Sequence, residues 1–175
     1  MQTKHIIYLD FDGVLHPDSV FLENGKPALK HCDETDGDET LFCWAYILEH
    51  HLKPYPDVRI ILSTSWVPAL GFDKAKKVLP TSLQDRVIGA TWHNKYAESL
   101  GLTRHNWMYL SRYSQIATHR SRNLNARWIA IDNDDDNWDQ RYRDNLVHTD
   151  DWRGLAPTET QEDLAKKLAE LCHGK

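Results

Sequence analysis

Residues 5–13 read HIIYLDFDG, and this short run decides the architecture. HIIYL is a compact, β-favouring apolar segment without polar alternation, the pattern of a strand buried on both faces. It stops abruptly at Asp10 and Asp12, and Gly13 lets the backbone turn sharply past them. A strand covered on both sides implies helices above and below a mostly parallel sheet.

The rest of the chain extends that reading. Residues 20–29 hold Asn24-Gly25 at their centre, a strong signal for a two-residue hairpin. Across 39–52, Leu41, Trp44, Ala45, Leu48 and Leu52 recur at spacings of three and four, predicting an amphipathic helix that Pro54 and Pro56 stop. VRIIL at 58–62 predicts a second buried strand, which ends in Ser63-Thr64-Ser65. A helix over 72–79, a short strand over 86–90 and a polar helix over 112–123 follow. RWIAI at 127–131 predicts another strand, running straight into Asp132-Asn133-Asp134-Asp135-Asp136, and 146–148 a last short one. Residues 92–111 carry no clear apolar pattern. Thr158 is expected to cap the final helix, with Gln161 closing a capping box and Leu164, Ala165, Leu168 and Leu171 facing inward. The rhythm predicts an α/β fold: a Rossmann-like three-layer sandwich with helices on both faces of a mostly parallel central sheet, a small β-hairpin flap and no large cap. Residues 1–175 are expected to form a single domain.

Composition narrows the function. A formal charge of −5 argues against a protein whose main task is gripping a polyanion, although a local basic groove is compatible with it. The first residues are too acidic for a signal peptide, and no apolar run approaches the roughly 18 residues of a membrane span. A cytoplasmic protein without membrane contact is expected. Cys32, Cys43 and Cys172 are odd in number and form no C-x-x-C pair, so free thiols are expected. A zinc site from His31, Cys32, Cys43, His50 and His51 matches no standard spacing and is not expected. The seven tryptophans are scattered, which suits packing better than a stacking platform.

In such sheets ligands bind beyond the carboxyl ends of the strands. Three of those ends carry chemistry: Asp10 and Asp12, then Ser63 to Ser65, then Asp132 and the acids after it. Singly, each has a plain reading as a turn, a cap or a solvated loop. Together they are what hydrolysis of a phosphate ester requires. Two carboxylates from separate strands can hold Mg²⁺ through oxygen, offsetting the repulsion between an anionic nucleophile and a phosphate. Asp10 as nucleophile divides the reaction into two displacements. Asp12 can protonate the leaving alcohol and later deprotonate water. Ser63, first after the apolar strand and so preferred to Thr64, can hydrogen-bond a phosphoryl oxygen, and an arginine can neutralise another.

The same residues resemble a known family. YLDFDGVLHP (8–17) resembles the first motif of haloacid dehalogenase-like hydrolases, IILSTSW (60–66) the second and IAIDNDDD (129–136) the fourth. The opening D-x-D-G-V-L-H-P, the S-T-S-W strand end and G-L-A-P-T at 154–158 are similar to small capless members, among them the phosphatase-like domain of bacterial RNA-repair (Swiss Army Knife) proteins. The resemblance implies phosphatase chemistry, since dehalogenase members lack an acid at the position of Asp12. It further implies an aspartyl-phosphate on Asp10 and Mg²⁺ held by Asp10, the Asp12 carbonyl and Asp132. Asn133 departs from the commonest fourth motif, where a second Asp follows the first. Asp136 satisfies the other accepted spacing and is the second acid available. Arg112, which opens the helix before RWIAI, is the choice for the third motif, ahead of Arg120 and Arg122.

Only short insertions interrupt the fold at 15–39 and 92–111, so the resemblance implies an open site. An open site suits a large phosphorylated substrate such as a nucleic-acid end. The segment 112–128 carries Arg112, His119, Arg120, Arg122 and Arg127 with almost no acid, fitting a phosphate track beside a stacking Trp92, Trp107 or Trp128. The structural alternative is an exposed helix balanced by the acidic loops. Two other functions fit the motifs: a small-molecule or nucleotide phosphatase, and a non-catalytic module that binds phosphorylated ligands. Intact Asp10 and Asp12 speak against the latter; Asn133 leaves it open.

Overall fold

The structure is a computed structural model that describes residues 5–24, 26–30, 40–122 and 125–174. In chain order the strands are β1 (His5–Leu9), β2 (Val20–Glu23), β3 (Lys26–Leu29), β4 (Arg59–Leu62), β5 (Val87–Ala90), β6 (Arg127–Asp132) and β7 (Leu146–His148). The helices are α1 (Ala45–Leu52), α2 (Trp66–Leu70), α3 (Phe72–Lys77), α4 (Thr81–Gln84), α5 (Asn94–Ser99), α6 (Arg104–Met108), α7 (Arg112–Arg120) and α8 (Thr158–His173). Five strands pair in parallel in the order β5-β4-β1-β6-β7, while β2 and β3 form a separate antiparallel hairpin. Asn24 in its turn has φ of 50°, the left-handed conformation a tight hairpin needs; Gly25 lies outside the described residues.

Alternation along the buried strands sorts their side chains between two helical layers. Ile7, Leu9, Ile60, Leu62 and Ile129 pack with Leu48 and Leu52 of α1 and with Leu164 and Leu168 of α8. Ile6, Tyr8, Ile61, Trp128 and Ala130 turn the other way and pack with Ile116 of α7. The result is a Rossmann-like α/β fold with helices on both faces of the sheet. Among the described residues, no helix is long and apolar enough to cross a membrane.

Strand register sets up the site. Leu9 pairs with Leu62 on one side and Ile131 on the other, so Asp10, Ser63 and Asp132 form the next layer across three adjacent strands. Backbone bonds continue the row, from Ser63 N to Leu9 O (2.8 Å) and from Asp10 N to Ile131 O (3.1 Å). The chain runs outward from β1 through β4 to β5 and returns to β6 on the other side, making β1 the switch point of the sheet.

Several elements differ from the expectations. The helix expected over 39–52 begins only at Ala45, because Phe42 adopts a left-handed φ of 64° that no helix continues through; Glu39 lies outside the described residues. The expected end of the polar helix, Asn123, also lies outside them, and α7 closes at Arg120. Residues 92–111 contain α5 and α6, of six and five residues, too short to display a helical period. At α8 the cap position belongs to Pro157, which has no side-chain donor or acceptor, and Thr158 is already helical. The expected capping box is therefore absent, and Gln161 Nε2 instead donates to the Ala156 carbonyl at 2.9 Å. Cys43 and Cys172 form no disulfide among the described residues, whereas His31 and Cys32 lie outside them.

Candidate active site

Asp10 is buried at the end of β1, 3% exposed. Its Oδ1 accepts the Phe11 N–H at 2.7 Å and its Oδ2 accepts Arg112 Nη2 at 2.8 Å. Burial, opposed by Arg112 and reinforced by Asp12, leaves the Asp10 carboxyl raised to about 6. The nearby Thr64 side chain also favours the charged form of this carboxylate. Asp132, fully buried at the end of β6, is likewise pushed up by burial, with Arg112 opposing.

Arg112 joins the two acids. Its Nε stands 3.0 Å from Asp132 Oδ2, close enough for an ion pair, but too poorly aligned to donate a hydrogen bond. Both atoms are buried and, among the described residues, have no hydrogen-bond partner; Ser63 Oγ is in the same condition. Burial opposes the charge on Arg112, yet Asp10, Asp132 and Asp134 more than offset it and hold the guanidinium above its ordinary value. The side chain is fixed from behind. Arg112 Nη1 donates to Gln115 Oε1 (3.1 Å), and Gln115 Nε2 donates to the Trp107 and Leu110 carbonyls. The first turn of α7 is fixed too, because Ser111 accepts from Ser114 N and Asp134 Oδ2 accepts from Arg112 N. One buried cation thus faces two buried carboxylates, leaving the pocket short of positive charge.

Asp12 is held by a separate set of donors. Trp66 Nε1 lies 3.0 and 3.1 Å from its two oxygens, and Ser65 Oγ donates to Oδ2 at 3.3 Å. His16, wholly buried, completes the set with Nε2 at 3.1 Å from Oδ1. Its Nδ1 accepts the Phe42 N–H, so the proton belongs on Nε2, facing Asp12. His16, Ser65 and Trp66 stand inside the quoted motifs, but nothing in their spacing announces that three donors converge on one carboxylate.

The acids after Asp132 divide their tasks. Asp132 Oδ1 accepts Asp134 N, Asp134 Oδ1 accepts Asp136 N, and Asp135 pairs with Arg143 at 2.6 Å. Asp136 is exposed, and its carboxylate makes no hydrogen bond or ion pair among the described residues. The spacing that made it a candidate ligand does not carry it inward; the acid at the rim is Asp134. Asn133 also has a physical reason. Its Nδ2 donates to Asp151 Oδ1 (2.8 Å) and Asp18 Oδ2 (3.4 Å), a bridge that no carboxylate could make. The same side chain lies over Gly13, whose φ is +67°, and a Cβ there would sit 2.5 Å from Asn133 Nδ2. Thr149 Oγ1 secures that loop by donating to Gly13 O at 2.7 Å.

The basic residues of 112–128 do not form a free track. Arg120 covers the Trp128 ring at 4.7 Å, Arg122 covers Tyr96 at 3.7 Å, and Arg127 donates to the Glu170 carbonyl. His119 is buried with its Nδ1 3.0 Å from the Tyr8 hydroxyl. Trp107 and Trp128 are core residues, and Trp92 packs against Trp107.

A Rossmann-like sheet with carboxylates at the ends of two adjacent inner strands and a buried arginine between them is the layout of a haloacid dehalogenase-like (HAD) domain. The family described as "HAD domain in Swiss Army Knife RNA repair proteins" matches residues 6–160, and the chain belongs to it. Membership brings a phosphatase-like, hydrolytic role. Comparison with curated proteins and with solved structures returned no match.

Proposed function

We propose that this protein is a Mg²⁺-dependent phosphomonoesterase that works through an aspartyl-phosphate on Asp10. The observation that carries this reading is the layer of Asp10, Ser63 and Asp132 around buried Arg112, in which Asp132 Oδ2 and Ser63 Oγ lack a hydrogen-bond partner among the described residues. Buried polar atoms are normally satisfied, and the exceptions call for a ligand.

The donor set fits a hard divalent cation. Asp10, Asp132 and the Asp12 carbonyl are oxygen donors suited to Mg²⁺. No group of three His, Cys, Asp or Glu side chains that could hold a metal occurs among the described residues, so the carbonyl is a needed member of the set. Bound there, Mg²⁺ supplies the missing positive charge and lowers the repulsion between Asp10 and the phosphate.

The chain's own residues do the rest. Phe11 N–H and Arg112 fix the Asp10 carboxylate, and one of its oxygens attacks phosphorus as the bond to the leaving oxygen breaks. Asp12 in its acid form gives that oxygen a proton. Asp12 as carboxylate then takes a proton from water, whose oxygen attacks the phosphoryl group, breaks its bond to Asp10 and releases inorganic phosphate. Ser63, beside Thr64, offers a phosphoryl oxygen a hydroxyl that has no partner among the described residues, and Arg112 offers charge.

The substrate we favour is the phosphorylated end of a polynucleotide, supported by the RNA-repair context of the family and by the small hairpin that, among the described residues, stands where a cap would. The test is phosphate release with and without Mg²⁺ from oligonucleotides phosphorylated at either end, small phosphate esters and a generic aryl phosphate. Asp10→Asn is expected to lose activity by on the order of 10³-fold or more. Release that persists in folded Asp10→Asn would exclude Asp10 as the nucleophile.

A further inference from the structure

Past Gly13 the first motif runs on to His16, a wholly buried residue that no step of the proposed reaction uses. Its ring packs edge-on against Phe42 (4.8 Å between centroids) and tilted against Trp66 (5.8 Å), and both of those rings meet Phe11. Phe42 holds a left-handed φ of 64°, a costly conformation for an aromatic residue. In that conformation its N–H donates to His16 Nδ1 at 3.3 Å, which fixes the tautomer and leaves Nε2–H for Asp12 Oδ1 at 3.1 Å.

A carboxylate on a loop turns readily about its last bond, whereas proton transfer needs one oxygen held within about 2.6–3.2 Å of its target. The donors around Asp12 do not treat its two oxygens alike. Trp66 Nε1 reaches both, at 3.0 and 3.1 Å, and so does not distinguish them. His16 and Ser65 do: the buried ring N–H takes Oδ1, and the half-buried Ser65 hydroxyl donates to Oδ2 at 3.3 Å. An N–H can only donate, so Oδ1, held by two of them, has both lone pairs engaged. A hydroxyl can turn and accept instead, so Oδ2 has a partner that suits either protonation state. We infer that His16 is a positioning residue for Asp12. It anchors Oδ1 and leaves Oδ2 as the oxygen that gives a proton to the leaving alcohol and later takes one from water. This rests on the acid/base reading of Asp12 in the proposed reaction.

The test compares phenyl phosphate, whose phenol departs poorly without a proton, with p-nitrophenyl phosphate, whose phenolate departs unaided. The whole chain is used with Mg²⁺, and kcat/KM is read because it ends at departure of the phenol and leaves out the later attack of water. His16→Leu is expected to lose about tenfold on phenyl phosphate and Asp12→Asn about 10²-fold, each loss being several-fold smaller on the nitrophenyl ester. His16→Gln, whose side-chain amide can donate from a similar reach, should recover most of the phenyl phosphate rate. Trp66→Phe removes the other N–H from Oδ1 and keeps a ring, so it should repeat the selective loss even if His16→Leu fails to fold. Equal losses on the two esters in these variants would make His16 a core residue only and overturn the inference. A selective loss in Asp12→Asn alone would also overturn it, while leaving the acid/base reading intact. No selective loss in Asp12→Asn, or no phosphate release by wild type, would overturn both.

Discussion

Helix α7 carries cationic or titratable side chains at both ends, and the two ends are built in opposite ways. At its start, Arg112 is buried against Asp10 and Asp132, with its Nε and Asp132 Oδ2 both left without a hydrogen bond among the described residues. At its finish, His119 meets the Tyr8 hydroxyl and Arg120 lies over Trp128 and Tyr142. One end concentrates unmet charge under a deficit of positive groups, whereas the other resolves each polar group within the fold. Unmet buried polarity is costly and is tolerated where a ligand completes it; resolved polarity holds a core together. By that criterion one end of this nine-residue helix suits the proposed chemistry and the other suits scaffolding.

The largest expected effect tests the first end. Arg112→Ala leaves two buried carboxylates without their cation, and denaturant titration should register a loss of about 3–5 kcal/mol. Phosphate release should fall by about 10²-fold or more. Adding Asp10→Asn should return part of the stability but none of the activity, because burial already disfavours the Asp10 carboxylate. If Arg112→Ala unfolds at the same denaturant concentration as the parent, the contrast between the helix ends is wrong.

A smaller effect tests the second end. His119→Leu deprives the Tyr8 hydroxyl of its partner and should cost about 1–3 kcal/mol, with kcat within about twofold of the parent. Its pH signature has a definite sign. Burial, with Arg122 adding, lowers His119 from 6.5 to about 4, so the fold favours the neutral ring. Its contribution is complete above pH 6.5 and fades as pH falls towards 4. Parent and His119→Leu stability curves should therefore converge across that window; parallel curves would remove His119 from the account.

The smallest effect concerns the loops around the site. Asn133→Asp replaces an amide that bridges Asp18 and Asp151 with a third carboxylate, and should cost about 1–2 kcal/mol, less at high salt. Burial, Asp12 and Asp151 already raise the Asp18 carboxyl, so this cluster has little room for another charge. Tighter Mg²⁺ binding by Asn133→Asp without loss of stability would instead turn that side chain towards the metal and redraw the boundary of the unmet-charge region.

Legibility differed in the same way. HIIYL, VRIIL and RWIAI were readable as strands, each to within one residue of the observed bounds, because a strand buried on both faces needs an uninterrupted apolar run. The residues ending them were readable as neighbours because parallel strands deliver their carboxyl ends to one edge. Helices α5 and α6 were not, being too short to repeat a pattern, and the start of α8 was displaced by one residue because proline took the cap. Asp136 shows the limit of spacing as a guide, since a turn sends it to solvent and brings Asp134 to the rim.

Sequence alone determined the α/β class, the order of the strand-end motifs and the identities of the acids, because each follows from local composition and the period of the strands. Only the tertiary structure decided what surrounds them. His16 and Trp66 meet at Asp12, Gln115 braces Arg112, Asn133 bridges two acids, and the hairpin closes a cleft against α2. Most of these contacts join residues far apart in the chain, and their partners are selected by where the sheet register and helix packing bring them, which no local pattern encodes.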